Sequence, residues 1–177
     1  MPPEDGVEAR YNHAYNYYVM AADLEQELFQ HPDVAGWKAY YQEPQRDMLW
    51  INNLLLPKRH EFCGLLISGG RFSFNDEPYS VNESVPVLDI LGQLANPSDV
   101  HMLIDGLAEH LFCYAISEEQ RTVLKELLIP GLPDYEWSLE YSAYEQSPND
   151  QGIRESIEGK LRTLISVMVR MSEFQVM

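Results

Sequence analysis

The sequence predicts an all-α protein, an irregular multi-helix bundle with one ordered loop flanked by tryptophans. Apolar residues recur every three or four positions through most of the 177 residues, which is the period of an amphipathic helix. Prolines, glycines and capping residues separate these stretches at intervals that suit helices. The segment from Arg71 to Val85 is the least regular, and its alternating stretch, Arg71 to Phe74, is too short to predict a sheet, so we expect a loop over the whole segment. We therefore expect a single helical domain over residues 1–177.

Composition and charge exclude several classes of protein. The hydrophobic share of 45% is ordinary for a globular domain, and a chain of this length can bury a core without disulfides. The net charge of −16, from 28 acidic and 12 basic residues, repels the phosphates of nucleic acids and anionic lipids. No apolar run approaches the roughly 18 residues of a membrane span. We expect no nucleic-acid partner and no membrane span.

The first half of the chain predicts three helices and a long loop. The first helix covers residues 7–29, and His31-Pro32 ends it, because the residue before a proline avoids helical geometry. After a loop through Pro44, a short helix covers 47–56 and another covers 57–67, where Ser68-Gly69-Gly70 ends it. The apolar stripe of the first helix consists of Ala14, Tyr17, Ala21, Leu24 and Leu28.

The second half predicts five helices. The first covers residues 86–95, and the next follows Asn96-Pro97-Ser98-Asp99, an N-cap with proline at the first helical position. A capping box from Ser117 to Gln120 starts the third, and residues 129–133 end it. The fourth predicted helix covers residues 134–147, and the fifth follows Asp150. The expected buried faces are Val100, Leu103, Ile104, Leu107 and Leu111, then Val123, Leu124, Leu127 and Leu128, then Ile153, Ile157, Leu161, Leu164, Ile165, Met168 and Met171.

The most specific feature is a turn followed by two spaced tryptophans. It consists of Pro32, Val34, Gly36, Trp37, Trp50, Ile51, Asn52, Leu54, Leu55 and Arg59. In this order the residues resemble the P-x-x-V-x-G-W turn, W-I-N segment, leucine pair and arginine of the C-terminal part of the bacterial Domain of Unknown Function 1800 family. Val34 lies one position earlier than the valine of the P-x-x-V-x-G-W pattern. The closing Ser172-Glu173-Phe174-Gln175 resembles the family's S-P-E-F-Q ending without its proline.

The resemblance implies that this chain is the C-terminal part of a longer protein. Family members often begin with an export signal, so the resemblance implies an exported protein, in the periplasm or at the cell surface. It also implies that the remainder of the full-length protein is a partner. The family has no assigned chemistry, so the resemblance transfers no catalytic residue, and we expect no cofactor.

The loop between the two tryptophans is the candidate binding site. Trp37 and Trp50 enclose Tyr40 and Tyr41, and exposed rings can stack on sugars or form a partner surface. Asn52 and Arg59 would be the polar members of a site for a glycan or a peptide. The alternative is structural, with the tryptophans as core residues that fix the loop.

Two H-x-F-C units suggest a metal site. They are His60 to Cys63 and His110 to Cys113, both on predicted helices, where residues three apart share a face. Together the units would offer zinc two imidazoles and two thiolates. The alternative, which we favour, is that each cysteine continues an apolar core face.

Two helix faces carry further candidates. His101, Asp105 and Glu109 share one face, where they would bind a cation, assist acid–base chemistry, or form a solvated surface. Tyr11, Tyr15 and Tyr18 share a face of the first helix, where they would dock against a preceding part of a longer protein or pack on the domain's own core.

These observations favour a non-catalytic helical interaction or binding module. Its partner would be a polysaccharide, another protein, or the remainder of the full-length protein. The sequence contains no nucleophile elbow, no phosphate-binding glycine loop and no H-E-x-x-H motif. The alternative is that the chain forms part of a hydrolase or metal-dependent enzyme, and that a preceding region completes its active site.

Overall fold

The computed structural model describes residues 4–26, 51–74, 77–81 and 84–175. These residues form eight helices and one two-stranded sheet, which confirms the all-α class. The chain divides into two compact units, Met1–Ser84 and Val85–Met177. The single domain over residues 1–177, and its place in a longer protein, stay predictions.

The described residues of the first unit form two helices and a hairpin. Helix α1 covers Glu4–Asp23 and α2 covers Leu55–Ser68. Strands β1, Gly70–Phe74, and β2, Glu77–Val81, pair antiparallel with Gly70 opposite Val81 and Phe74 opposite Glu77. The predicted loop was therefore wrong here. Phe, Tyr and Val favour strands, and two five-residue segments stabilise each other although each alone is too short to identify.

The helices of the first unit differ from their predicted positions. Val19 and Met20 of α1 and Leu24 just after it are buried, so the prediction for Leu24 is confirmed, whereas Ala14 and Tyr17 are exposed and their prediction was wrong. Ala21 is half-buried, and Leu28 lies outside the described residues. Tyrosine keeps its hydroxyl in water more readily than valine or methionine, which are wholly apolar. Helix α2 begins at Leu55, so Pro57 lies inside its first turn and does not separate two helices.

The predicted end of α2 is confirmed. Gly69 has a φ of 71°, which favours glycine, and its backbone N–H donates to Leu65 O at 2.8 Å.

The second unit is a helical bundle built around its longest helix. In order, the helices are α3 (Val87–Leu91), α4 (Val100–Leu111), α5 (Glu118–Leu128), α6 (Tyr135–Gln146), α7 (Gln151–Met168) and α8 (Ser172–Gln175). Helix α7 contacts α3, α4, α5 and α6. Its buried side chains are Ile157, Leu161, Leu164, Ile165 and Met168. The predicted stripe is confirmed along most of its length, and Ile153 and Met171 at its ends are half-buried.

The helix starts follow their capping residues. Asp99 accepts hydrogen bonds from the backbone N–H groups of His101 (2.9 Å) and Met102 (3.0 Å), so it caps α4 and Pro97 lies before the helix. The predicted proline at the first helical position was therefore wrong. Asn, Ser and Asp are all favoured N-caps, so the sequence from Asn96 to Asp99 does not by itself fix which of them starts the helix. The capping box of Ser117 and Gln120 on α5 is confirmed.

The last helix is tied to that capping box. Gln120 Oε1 accepts from Ser117 N at 2.8 Å, and Gln120 Nε2 donates to Glu173 Oε1 at 2.5 Å. This hydrogen bond is the main reason that the pKa of Glu173 is lowered. Buried Gln175 donates to Val169 O at 2.6 Å. Two side chains therefore fix α8 against the bundle.

Substituting Ser117→Ala should lower the free energy of unfolding by about 0.5–2 kcal/mol, because it removes half of the capping box. Chemical denaturation monitored by circular dichroism measures this change. Ser156→Ala, at an exposed position inside α7, is the matched control and should leave stability unchanged or slightly raise it. Equal effects of the two substitutions would contradict the capping role.

Candidate functional site

The predicted loop site is described only in part. Trp37, Tyr40, Tyr41 and Trp50 lie outside the described residues, so their role stays a prediction. Asn52 Oδ1 accepts hydrogen bonds from the backbone N–H groups of Leu54 (2.9 Å) and Leu55 (2.8 Å) at the start of α2. Its carbonyl group is thereby committed to the helix start.

Arg59, the other polar residue predicted for that site, is half-buried on α2. Its role in ligand binding also stays a prediction.

The clearest surface feature of the first unit is a row of tyrosines on α1. Tyr11, Tyr15 and Tyr18 are 69%, 44% and 47% exposed. The rings of Tyr11 and Tyr15 are nearly parallel, with centroids 6.4 Å apart and planes within 10°. The Tyr15 and Tyr18 centroids are 6.3 Å apart. We call Tyr11, Tyr15 and Tyr18 the tyrosine row; it presents aromatic surface to solvent.

An ion pair connects α2 to the C-terminus of α1. Lys58 Nζ donates to Asp23 Oδ1 at 2.6 Å and to Asp23 O at 3.3 Å, so a cation sits at the C-terminus of α1. The cavity beside it, lined in part by Met20 and Phe62, has a volume of about 40 Å³. This is far below the roughly 300 Å³ of small-molecule sites, so the ion pair is structural.

The structure agrees with the helical prediction for the first H-x-F-C motif but not for the second. His60 and Cys63 lie on α2, as predicted, and none of the described residues offers a hydrogen-bond partner to buried His60 Nε2. Helix α4 ends at Leu111, and Phe112 is extended, so His110 and Cys113 do not share a helix face. The prediction that His110 to Cys113 forms one helical H-x-F-C motif, with Cys113 on an apolar face, was therefore wrong, and Cys113 is exposed.

His110 is committed locally, with Nδ1 2.7 Å from Gly106 O. Among the described residues, no group of three or more His, Cys, Asp or Glu side chains is arranged to hold a metal ion.

The polar face of α4 is tied to neighbouring helices. His101 Nε2 lies 3.0 Å from Asp134 Oδ2, and Lys125 of α5 also pairs with Asp134. Asp105 pairs with Arg121 through Nε and a terminal nitrogen, both at 2.8 Å, and Arg121 also pairs with Glu118. His101 and Asp105 therefore connect α4 to the segments around it. His101 and Glu109 are exposed and Asp105 is half-buried, so this is the solvated face considered from sequence, with ion pairs to its neighbours.

The ion pairs of Asp134 predict a pH dependence. Hydrogen bonds from Lys125 and then His101 hold the pKa of Asp134 below its ordinary value of 3.8. Because the folded-state pKa is the lower one, the stabilisation is present above about pH 4 and is lost as pH falls through the folded value. The stability difference between the parent and Asp134→Asn should therefore shrink below pH 4 in urea titrations. A constant difference from about pH 2.5 to 6 would contradict the assignment.

A cleft of about 350 Å³ opens where α4 passes into α5. Its lining includes Asp105, Glu109, Cys113, Tyr114 and Arg121. The volume suits a small ligand. Arg121 already engages the Asp105 carboxylate, whereas Glu109 forms no ion pair with any described residue. The cleft therefore offers one uncommitted carboxylate and no carboxylate pair.

Sequence reasoning missed Asp134 as the residue shared by two ion pairs, and it missed the cleft. Asp134 precedes α6, so its only local signal is that of an acidic helix start. Its partners lie 33 residues away at His101 and 9 residues away at Lys125, and nothing local indicates these pairings.

Comparison of the chain with protein-family profiles, curated proteins and solved structures returned no match. Within the described ranges, no helix has both the length and the apolar character needed to cross a bilayer.

Proposed function

We propose that this chain is a non-catalytic interaction module of a larger, exported bacterial protein. We further propose that the tyrosine row docks against the remainder of that protein. The resemblance of Pro32 to Arg59 and of the closing segment to the Domain of Unknown Function 1800 family supports the longer protein. The proposed docking surface depends on one observation, the exposure of the Tyr11, Tyr15 and Tyr18 side chains.

Tyrosine side chains have physical properties that suit a docking surface. Its large rigid ring buries much area at a low cost in side-chain entropy, and its hydroxyl tolerates a partly wet boundary. The neighbouring rings of Tyr11 and Tyr15 restrict each other before binding, which reduces the ordering cost further. The ion pair between Lys58 and Asp23 links the C-terminus of α1 to α2.

The test is limited proteolysis of the full-length protein carrying Tyr11→Ser and Tyr15→Ser. If the row docks, the variant should be cut faster in the residues preceding Tyr11. Tyr114→Ser is the matched control, because Tyr114 is as exposed as Tyr11 but lies in the second unit, and it should match the parent. Equal cleavage of all three proteins would refute docking.

The same variants distinguish a polysaccharide partner. Migration through gels containing a polysaccharide should be the same for the double variant and the parent if the row binds protein. Faster migration of the variant, with unchanged proteolysis, would assign the row to a glycan instead.

The alternative proposal is that this chain forms part of a hydrolase or metal-dependent enzyme. The cleft favours it by its volume and by the carboxylate of Glu109. Acid–base catalysis by two carboxylates needs a second uncommitted group, and Asp105 is held by Arg121. Metal analysis of the full-length protein, together with Glu109→Gln, tests this alternative. Bound metal that is lost in the variant would support it, and metal-free protein would remove its metal-dependent form.

A further inference from the structure

The cleft between α4 and α5, which we call the α4–α5 cleft, has a partly apolar lining. Ala108 and Phe112, at the C-terminal end of α4, and Ile116, in the segment before α5, line it and are buried. Tyr114 also lines it and is 69% exposed, so its ring adds apolar surface that solvent reaches. A ligand in this volume of about 350 Å³ would therefore contact hydrocarbon as well as water.

The polar lining of the α4–α5 cleft carries a net negative charge. Among the described residues that line it, Asp105 and Glu109 are acidic and Arg121 alone is basic. Arg121 is engaged by two carboxylates, by Asp105 at 2.8 Å and by Glu118. Glu109 lies one helical turn after Asp105 and pairs with no basic side chain in the described ranges. An anion would be repelled here, whereas a cation would meet one free carboxylate.

The helix ends at the α4–α5 cleft also favour a cation. Glu109 lies in the last turn of α4, where the helix dipole is negative. The first turn of α5 is the positive end of the other dipole, but Ser117 and Gln120 cap its N–H groups, and Glu118 and Glu119 lie within it. The positive end is therefore compensated and the negative end is not.

We propose that the α4–α5 cleft binds a small primary amine that carries an apolar ring. The ammonium group would donate to the Glu109 carboxylate, and the ring would cover Phe112 and Ile116. An amine of this class satisfies the free charge and the apolar lining together.

Two other kinds of cation fit the cleft less well. A metal ion needs several ligands, and no group of three or more His, Cys, Asp or Glu side chains in the described part of the chain is arranged to hold one. A quaternary ammonium donates no hydrogen bond and is bound by a cage of exposed rings. Of the two aromatic residues described in the lining, only Tyr114 is exposed.

This proposal does not depend on the proposed function. The α4–α5 cleft lies in the second unit and the tyrosine row lies in the first. Binding of an amine involves no catalytic step and no preceding region, so a negative result here would leave the docking proposal unchanged.

Cys113 provides the test, because it lines the cleft and is exposed. The experiment measures the rate at which iodoacetamide alkylates Cys113 in the full chain as the concentration of 2-phenylethylamine rises, with mass spectrometry of peptides as the readout. Cys63, in the first unit, is the internal control, since consumption of the reagent would slow both reactions. Three matched compounds complete the set. Ethylamine lacks the ring, 2-phenylethanol lacks the charge, and 3-phenylpropionate reverses the charge.

We expect 2-phenylethylamine to slow the alkylation of Cys113 saturably and to leave Cys63 unchanged. Ethylamine should need about tenfold more for the same protection, and the other two compounds at least about threefold more. Glu109→Gln should raise the half-protecting concentration of 2-phenylethylamine about threefold to fivefold, since water and salt weaken an exposed ion pair. Glu145→Gln removes the same charge from an exposed residue of α6 that does not line the cleft, and it should match the parent.

Four results would overturn the proposal. Two are the absence of protection and an equal slowing of both cysteines. Equal protection by 3-phenylpropionate would show that the cleft does not select a positive charge. Equal half-protecting concentrations for Glu109→Gln and the parent would remove Glu109 as the partner of the amine. Circular dichroism confirms that each variant keeps its helix content, so a change in protection reports the cleft.

Discussion

Replacing Trp137 by alanine should lower the free energy of unfolding by about 3–5 kcal/mol, the largest effect expected for a single substitution in this chain. The side chain is fully buried, its Nε1 donates to Pro97 O at 2.7 Å, and its ring centroid lies 6.2 Å from that of Tyr141. The residue therefore fills the core and ties α6 to the segment before α4. Urea denaturation monitored by circular dichroism measures the loss.

Two further substitutions separate the causes of that loss. Trp137→Phe keeps most of the ring and removes the donor to Pro97 O, so about 1–3 kcal/mol should be lost. Tyr135→Ala, an exposed aromatic residue of the same helix, should change stability by no more than about 0.5 kcal/mol. If Trp137→Ala proved as mild as Tyr135→Ala, Trp137 would not anchor the bundle.

Replacing Leu164 by alanine should cost about 2–5 kcal/mol. Leu164 is fully buried in α7, the helix that contacts four others, so the surrounding helices cannot all move inward to fill the space. Leu139→Ala is the matched control, because it removes the same atoms from a side chain that is 60% exposed. The same denaturation experiment compares them, and equal losses would contradict the central position of α7.

Regular helices in the second unit could be predicted because their signals are local. The capping box at Ser117 and the apolar spacing from Ile157 to Met168 each lie within one helix. The start of α4 was misplaced because both Pro97 and Asp99 suit a helix N-terminus, and only the hydrogen bonds of Asp99 decide between them.

Features that depend on distant partners could not be predicted. The hairpin requires Phe72 to pair with Tyr79, and the pattern of either strand alone is too short to indicate it. The predicted stripe of the first helix was wrong at Tyr17 because this side chain has apolar and polar parts, and its exposure depends on what packs beside it. The same ambiguity left two interpretations of Tyr11, Tyr15 and Tyr18, and the structure places all three rings at the surface.

Hydroxyl-radical footprinting of the full-length protein, compared with residues 1–177 alone, tests the docking role of the tyrosine row most directly. We predict that Tyr11, Tyr15 and Tyr18 are protected from oxidation in the full-length protein and reactive in the shorter chain. Tyr114 should react equally in both. Equal reactivity of Tyr11 and Tyr15 in the two proteins would contradict the proposal that this row is an interface.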